Sequence, residues 1–301
     1  MSGNVLIGGG TGFVGKHLRT ALQNKNYGFT IVSRMPGPQH ISWNQLNNAG
    51  LPKDTVAVVN LAGQNVMDFK QRWSPGFKQN VVSSRVNTTA SLAKAINDAS
   101  VKPKAFVTMS GVGIYKPDCN LEYTECSKTE PFDFFSKLVL EWEKATSLDS
   151  LSKNHCRVIS IRSGVVLGKD GGMIKQLYFP FFLGLGGPVG DGKQFMPWIH
   201  IDDLVKLIIF AIENDKVEGV LNGVAPNPCT NKEFSIAFAK ALRRPAYIPT
   251  PKLVFNVILG KERAKMITEG QKVLPERTQE VGFKFQYPTV ESACENIVKS
   301  I

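Results

Sequence analysis

The chain has 301 residues and a formal net charge of +11, with 43% hydrophobic and 20% charged residues. This composition is typical of a globular protein that can bury a full core. No apolar run reaches the roughly 18 residues that a membrane-spanning helix needs. No basic region followed by an apolar segment opens the chain, so we expect a cytoplasmic protein rather than a secreted one. The five cysteines form no C-x-x-C pair, which favours a reducing compartment and argues against structural zinc.

The positive charge is scattered along the chain. Lysine and arginine form no run of five or six residues, and the densest stretches are 240–244 and 260–265. Such scatter is typical of a solvated basic surface, and attraction of a phosphate-rich cofactor or substrate is the alternative. We therefore expect a small-molecule partner rather than nucleic acid or a membrane. The four histidines form no H-x-x-H or H-x-x-x-H pair, so we predict no metal site. The sequence leaves the oligomeric state open.

The first predicted unit is a strand, a turn and a helix over residues 5–22. An apolar run ends in the pattern Gly9-x-x-Gly12-x-x-Gly15, and a helical pattern follows. Gly9 permits a sharp turn, Gly12 lets the backbone approach a pyrophosphate, and Gly15 lets the helix pack close to the strand. The free N–H groups at the start of the helix suit phosphate oxygens. The candidate cofactor-binding residues in this unit are Gly9, Gly10, Thr11, Gly12, Phe13, Val14 and Gly15.

A second strand is predicted at residues 29–32, and Ser33 and Arg34 follow it. In a dinucleotide-binding unit, an acidic residue at this point binds the ribose 2′-hydroxyl of NAD. A hydroxyl and a guanidinium suit a 2′-phosphate instead, because arginine offers a bidentate fork. We therefore predict NADP(H) as the cofactor, held in part by Ser33 and Arg34.

Strand and helix patterns then alternate along the chain, which predicts right-handed crossovers and a doubly wound parallel sheet. The further strands are predicted at 41–43, 56–63, 105–110, 158–162 and 220–224, and the helices at 76–99, 133–143, 204–213, 231–242, 252–259, 261–273 and 289–300.

Ligands bind beyond the carboxyl ends of parallel strands. Leu61, Ala62 and Gly63 end the fourth strand, so we expect them beside the cofactor. Arg85 lies on the following helix. It is either an ordinary surface residue or a contact of the cofactor or of loop 61–64.

Seven motifs occur in order: GGTGFVG, VNLAG, SGVGIY, FFSKLVLEWE, RSGVVLG, PWIHIDDL and LNGVAPNPCTN. Together they resemble the extended short-chain dehydrogenase/reductase superfamily, which contains the nucleotide-sugar epimerases. They are most similar to its atypical branch of epimerase-family proteins, comprising family 39U and bacterial sugar-epimerase or cell-division-inhibitor homologues. The tail, residues 269–293, resembles the small C-terminal domain of that branch.

The resemblance implies an α/β protein with a Rossmann-type doubly wound parallel sheet and a smaller C-terminal α/β lobe. An NADP-binding domain would cover residues 1–166, and a strand near 220–224 would return to its sheet. Residues 167–301 would form the substrate cleft and the C-terminal lobe. The loop near Val166 would contact the cofactor, and Lys137 would hold the nicotinamide ribose.

Superfamily catalysis uses a serine, a tyrosine and a lysine, of which tyrosine is the general acid/base. Matched residue by residue, Lys137 is retained, but Asp133 stands at the tyrosine position. Gly111 stands at the serine position, with Ser110 one residue earlier. The candidate catalytic residues are therefore Lys137, Asp133, Tyr115 and Ser110. Lys137 and Glu141 also have the i, i+4 spacing of a simple helix-stabilising pair.

Three functions stay open. The first is an NADP-dependent oxidoreductase or epimerase with a rebuilt acid/base group, acting on a small carbonyl or hydroxyl substrate. The second is a non-catalytic NADP(H)-binding sensor or partner-binding protein. The third is RNA or nucleotide binding, which only the net charge supports. The aromatic segment 177–188 and Trp198 suggest a partly apolar or ring-bearing ligand.

Overall fold

The computed structural model describes residues 3–301 as a mixed α/β protein. The strands are β1 (Asn4–Gly8), β2 (Gly28–Val32), β3 (His40–Ile41), β4 (Thr55–Asn60), β5 (Ala105–Gly111), β6 (Asp118–Tyr123), β7 (Arg157–Ser163), β8 (Val165–Leu167), β9 (Trp198–His200), β10 (Gly219–Gly223) and β11 (Gln271–Val273). The helices are α1 (Phe13–Asn24), α2 (Trp43–Ala49), α3 (Pro75–Asp98), α4 (Phe134–Lys144), α5 (Ser150–Lys153), α6 (Gly172–Phe182), α7 (Ile201–Glu213), α8 (Asn231–Ala241), α9 (Lys252–Leu259), α10 (Lys261–Thr268), α11 (Glu276–Glu280) and α12 (Val290–Lys299). A 3₁₀ turn covers Val112–Ile114.

Seven parallel strands form the central sheet in the order β10-β7-β5-β4-β1-β2-β3. The predicted doubly wound parallel sheet is therefore confirmed. The chain order reverses between β1 and β4, which is where such sheets bind ligands beyond the carboxyl ends of their strands. The carboxyl ends of β1 and β4 lie close together, since the Leu61 N–H donates to the Gly8 carbonyl at 2.8 Å.

The sheet is buried on both faces, which explains its continuous apolar runs. Val5 and Ile7 of β1 face a core built with α1 and α7, whereas Leu6 faces a second core built with α2 and α3. Alternate residues of β4 and β5 divide between the two cores in the same way. Two late elements of the chain therefore belong to the sheet domain: α7 packs against the sheet, and β10 forms its edge strand.

A third core joins α6, α8, α12 and β9. Its largest members include Trp198 and Phe234, both of which are buried. Two small parallel pairs, β8 with β9 and β6 with β11, tie this part to the sheet side of the molecule.

Three predicted elements end earlier in the structure. The strand predicted over 56–63 ends at Asn60, so Leu61, Ala62 and Gly63 follow β4 rather than ending it. The third strand stops at Ile41, because the Ser42 hydroxyl caps α2, which starts at Trp43. The helix predicted over 261–273 ends at Thr268, and Gln271–Val273 pairs with β6 instead. Gly270 marks the change, since a Cβ there would lie 1.8 Å from the Phe195 carbonyl oxygen.

Residues 3–301 contain no helix that is both long and apolar enough to cross a membrane. In the same range, no group of three or more histidine, cysteine, aspartate or glutamate side chains is arranged to hold a metal ion.

Candidate functional site

The turn after β1 lies between the carboxyl ends of two neighbouring strands. Gly9 has φ +75°, a conformation that favours glycine. A Cβ on Gly9 would lie 2.7 Å from the Ala62 nitrogen, so the turn touches the end of β4 closely. The Gly9 N–H also donates to the Val32 carbonyl of β2 at 3.5 Å. The sequence-predicted groups Gly9, Leu61 and Ala62 therefore lie together.

The N-terminus of α1 is open. Its N-cap is Gly12, no side chain in residues 3–301 caps it, and its first turn holds no acid. By contrast, α2, α3 and α4 are capped by Ser42, Ser74 and Asp133. Thr11 and Gly12 are exposed. The first N–H groups of α1 and its positive dipole end are thus free to bind an anion.

The remaining glycines of the turn keep it tight. A Cβ on Gly15 would lie 2.7 Å from the Gly10 backbone, and a Cβ on Gly10 would lie 3.0 Å from the Ile31 side chain. Among residues 3–301, the only neighbour within 4 Å of a Cβ on Gly12 would be the Gly9 carbonyl oxygen at 3.4 Å, so the space in front of α1 is open.

Phe13 and Val14 contribute their backbone N–H groups to this helix start, while their side chains pack against the core. The Phe13 ring also fills the space beside Gly168 and Gly171, where a Cβ would lie within 2.8 Å of it. This contact brings the segment that follows β8, the strand that contains Val166, against the start of α1.

Ser33 and Arg34 follow β2 at the same edge. The Ser33 N–H donates to the Ile41 carbonyl at 2.9 Å, and its hydroxyl accepts from the Met35 N–H at 3.1 Å. Arg34 is exposed, and residues 28–53 contain no aspartate or glutamate. This edge is therefore electropositive, as the prediction of a 2′-phosphate requires.

The loop after β4 is held by a chain of polar contacts. The Ala62 N–H donates to the Asn60 side-chain oxygen at 3.0 Å, and the Asn60 amide donates to the Thr89 hydroxyl at 2.8 Å. The Trp142 indole N–H of α4 donates to the same hydroxyl at 3.0 Å. The loop is thus connected through α3 to α4.

Arg85 contacts this loop, which was one of its two predicted placements. Its guanidinium carbon would lie 3.0 Å from a Cβ on Gly63, and it lies 5.2 Å from the centre of the Trp142 ring. Burial lowers the pKa of Arg85 to about 10, so it stays charged at neutral pH. Among the ion pairs of the described chain, none joins Arg85 to a carboxylate. A desolvated cation without an acid at a cofactor loop suits an anionic ligand.

Helix α4 presents Lys137 and Asp133 differently. Lys137 is exposed, and none of the ion pairs of residues 3–301 joins it to Glu141. Asp133 is the N-cap: its carboxylate accepts from the Ser136 N–H at 2.8 Å and from the Ser136 hydroxyl at 2.7 Å. Lys137 is therefore free to meet a ligand, whereas the Asp133 carboxylate already has a structural task.

Ser110 and Tyr115 point into the protein. The Ser110 hydroxyl donates to Glu143 at 2.6 Å, and Arg162 donates to both Glu143 carboxylate oxygens at 2.8 Å. Arg162 also donates to the Tyr115 hydroxyl at 3.0 Å, which itself donates to Asn222 at 2.9 Å. We call these five residues the buried network.

The electrostatics of the buried network keep the Tyr115 phenol protonated at neutral pH. Tyr115 is 1% exposed, and burial raises its pKa above the ordinary value of 10.0, although Arg162 opposes the shift. Burial alone would lower the pKa of Arg162, but hydrogen bonds to Glu143 and its charge raise it. Both hydroxyls thus have partners inside the protein, which argues against the catalytic roles predicted for Ser110 and Tyr115; these roles stay predictions.

The buried network continues into the C-terminal part of the chain. The Asn222 N–H and the Thr278 hydroxyl both donate to Glu125, at 2.9 and 3.0 Å. Sequence reasoning missed these residues. The available signal was Arg162, a charged residue that ends an apolar strand pattern and is 6% exposed.

The aromatic segment also differs from expectation. Trp198 is 1% exposed and Phe181 is 2% exposed, and both lie in the third core. The Trp198 side chain is thus enclosed by the third core and presents no surface to a ligand, so the predicted ring-bearing ligand rests on the aromatic segment alone and stays a prediction. Phe179 and Phe182, by contrast, are exposed.

With the geometry described, the chain can be compared with known proteins. Residues 5–222 match the model of the NAD-dependent epimerase/dehydratase family, and residues 250–297 match a domain of unknown function, DUF1731. The epimerase family protein SDR39U1 of Homo sapiens is 47% identical over 294 residues, which is 98% of this chain and 99% of that protein. The epimerase family protein SERP0438 of Staphylococcus epidermidis is 34% identical over 301 residues, covering 98% and 99%.

A solved structure is similar over the same length. The crystal structure of human SDR39U1 (isoform 2) with NADPH has a TM-score of 0.96 at 46% identity, and it covers 99% of this chain and 100% of that one. These comparisons confirm the resemblance to epimerase-family proteins that the motifs indicated.

Proposed function

Because the chain belongs to the NAD-dependent epimerase/dehydratase family, we propose that it binds NADP(H) and acts as an oxidoreductase or nucleotide-sugar-epimerase-like enzyme on a small carbonyl or hydroxyl substrate. One observation carries this proposal: the uncapped N-terminus of α1 opens beside an acid-free strand end that presents Ser33 and Arg34. The human relative crystallised with NADPH supports the choice of cofactor.

Each part of the cofactor can be assigned to a group of residues. The pyrophosphate would bind the N–H groups that follow Gly12, because no side chain of the described residues competes there. The 2′-phosphate would bind Ser33 and Arg34. Arg85, without a carboxylate partner, would contribute positive charge beside Gly63. Leu61 and Ala62 would line the remaining path toward α4.

The chemistry would take place at the start of α4. The nicotinamide ring, when bound, supplies the hydride acceptor or donor. Lys137 would hold the ribose and lower the cost of negative charge on the substrate oxygen. Asp133 is the remaining candidate for proton transfer, since Ser110 and Tyr115 are held in the buried network.

The second candidate function is an NADP(H)-binding sensor without turnover. It is favoured by the replacement of the superfamily's tyrosine and serine by Asp133 and Gly111, because the superfamily's chemistry needs both hydroxyls at the substrate. A cofactor edge without these catalytic hydroxyls suits a binding protein without turnover.

A turnover screen separates the two functions. NADPH binding is measured by fluorescence, and NADPH consumption or NADP⁺ reduction is followed with sugar nucleotides and small carbonyl or hydroxyl compounds. For the enzyme, we expect turnover with at least one compound and its loss in Lys137→Met. Lys144→Met is the matched control, because it removes an exposed lysine from the same helix.

A second pair of variants tests the acid/base group. Asp133→Asn keeps a good helix cap but removes the carboxylate, and Asp149→Asn does the same at the cap of α5. Loss of turnover in Asp133→Asn alone would assign proton transfer to Asp133. Tight NADPH binding with no turnover in any assay would support the sensor. Failure to bind NADPH would reject both functions.

A further inference from the structure

The protein has an apolar surface that the cofactor edge does not use. Among the described residues, nineteen large apolar side chains are exposed, and ten of them lie in residues 179–185 and 247–258. We call these two segments the apolar surface. Its most exposed members are Tyr247 at 87%, Val257 at 78% and Leu253 at 69%. Single exposed apolar residues need no explanation, but a concentration of this kind marks an interaction site.

The two segments lie against each other. The Arg244 guanidinium donates to the Phe182 carbonyl at 2.7 Å and lies 5.0 Å from the centre of its ring. Further along, the Gly190 and Thr250 N–H groups bond to the carbonyls of Thr250 and Pro188, at 2.9 and 2.8 Å. Helix α9 follows directly. The exposed apolar side chains of both segments therefore belong to one region of the molecule.

This region carries more basic than acidic side chains. Residues 171–190 and 234–261 contain no aspartate or glutamate, although an acid directly flanks each end of both ranges: Asp170, Asp191, Glu233 and Glu262. The two ranges carry six exposed basic residues, and none of the six forms an ion pair within residues 3–301. Glu295 lines a groove beside Phe182 and Arg243. The six basic residues are Lys175, Lys240, Arg243, Arg244, Lys252 and Lys261.

We propose that the apolar surface docks onto the surface of an anionic lipid bilayer. Exposed leucine, valine and aromatic side chains can enter the headgroup region while surrounding lysines and arginines contact lipid phosphates and carboxylates. A second copy of the chain is a poorer occupant, because two such surfaces would bring like charges together. The expectation of no membrane partner rested on the scatter of basic residues along the sequence, but six of these residues lie together in this region of the fold. Docking at a bilayer surface needs no spanning segment.

Vesicle sedimentation tests the proposal on the full chain. The protein is mixed with phosphatidylcholine vesicles, with or without phosphatidylserine, at low and high salt. We expect sedimentation with the anionic vesicles, release by salt, and little binding to the neutral ones. Protein that stays in the supernatant with anionic vesicles at low salt would overturn the proposal, as would equal binding to both vesicle types.

Matched variants locate the contact. Leu253→Ala with Val257→Ala should weaken binding at least about tenfold, whereas Val101→Ala with Leu151→Ala, at exposed sites elsewhere, should not. Arg243→Ala with Lys261→Ala should weaken it about 25-fold, at about fivefold per charge. Lys153→Ala with Lys216→Ala is the charge-matched control, because it removes two exposed lysines outside residues 171–190 and 234–261.

Two results would overturn the assignment even if vesicles bind. The first is equal loss in the test and control variants, which would mean a non-specific charge effect. The second is a parent protein that is dimeric by light scattering and becomes monomeric when Leu253→Ala and Val257→Ala are combined. That result would mean that the apolar surface binds a second copy of the chain instead.

Discussion

Two edges of the same site treat their polar groups in opposite ways. One is the phosphate edge, which comprises the start of α1, Ser33, Arg34 and Arg85. The first N–H groups of α1 have no side-chain cap, and neither arginine has an acidic partner in the described chain. The other is the buried network, which we call the catalytic edge only because it holds the predicted catalytic residues Ser110 and Tyr115; both hydroxyls are hydrogen-bonded inside it. A polar group whose hydrogen bonds are satisfied inside the protein is unavailable to a ligand, whereas one left open at a cleft is available. Identical residue types can therefore mean binding at one edge and structure at the other.

Breaking the buried network should produce the largest effect. Glu143→Gln leaves the Arg162 charge buried without a partner, so the free energy of unfolding should fall by about 3–5 kcal/mol. Urea denaturation measures it. Glu213→Gln is the control, because its pair with Lys25 is far more exposed and should lose less than about 1 kcal/mol. A Glu143→Gln protein as stable as the parent would contradict a structural role for the catalytic edge.

The next effect concerns the phosphate edge. Gly9→Ala forces a side chain into φ +75° and within 2.7 Å of the Ala62 nitrogen, so NADPH affinity should fall at least about 100-fold. Gly50→Ala is matched, since Gly50 also has φ +75° but no atom within 4 Å of a Cβ. It should lose some stability and no affinity. Similar affinity losses in both variants would mean that general strain, rather than the turn, governs binding.

Arg34 should distinguish NADPH from NADH, because only NADPH carries the 2′-phosphate. Arg34→Ala should reduce NADPH affinity about tenfold to 100-fold, the value of a charge-assisted contact to phosphate, and should leave NADH affinity unchanged. Arg72→Ala, in the loop before α3, serves as the control. Titration with both nucleotides gives the ratio, and an unchanged ratio would remove the 2′-phosphate from this edge.

Tyr115 should give the smallest effect. Tyr115→Phe removes a hydroxyl shared by Arg162 and Asn222, which should lower the free energy of unfolding by about 1–2 kcal/mol and leave NADPH affinity unchanged. Because the folded pKa is raised above the unfolded value of about 10, the phenol is protonated in both states at neutral pH.

The pH dependence of this difference follows from the sign of the shift. The contribution of the Tyr115 proton is fully present below the unfolded pKa and is lost as pH rises through the higher folded pKa. The stability difference between the parent and Tyr115→Phe should thus stay constant between about pH 6 and pH 9. A difference that titrates near neutrality would mean that Tyr115 is poised for acid/base chemistry after all.

The phosphate edge could be predicted from the sequence because its signals are local. Three glycines between a strand and a helix determine the turn. The absence of an acid after β2 is visible from Ser33, Arg34 and their immediate neighbours in the sequence. Arg85 could be predicted only as an alternative, since helical spacing does not say which neighbour its long side chain meets.

The catalytic edge could not be predicted because its contacts join distant parts of the chain. Tyr115 meets Asn222 across 107 positions, and β6 pairs with β11 although β6 is polar and largely exposed. Because successive side chains of a strand point to opposite faces, Ser110 is expected to face away from the position of Gly111. This alternation does not identify Glu143 as the partner of Ser110. Only tertiary packing determines where these polar groups find their hydrogen bonds.

The most direct test of the account is calorimetric titration of the full chain, freed of nucleotide, with NADPH and with NADH. The account predicts one NADPH per chain, bound at least about tenfold more tightly than NADH because the 2′-phosphate meets Arg34. No binding of either nucleotide, or NADH binding as tightly as NADPH, would contradict it.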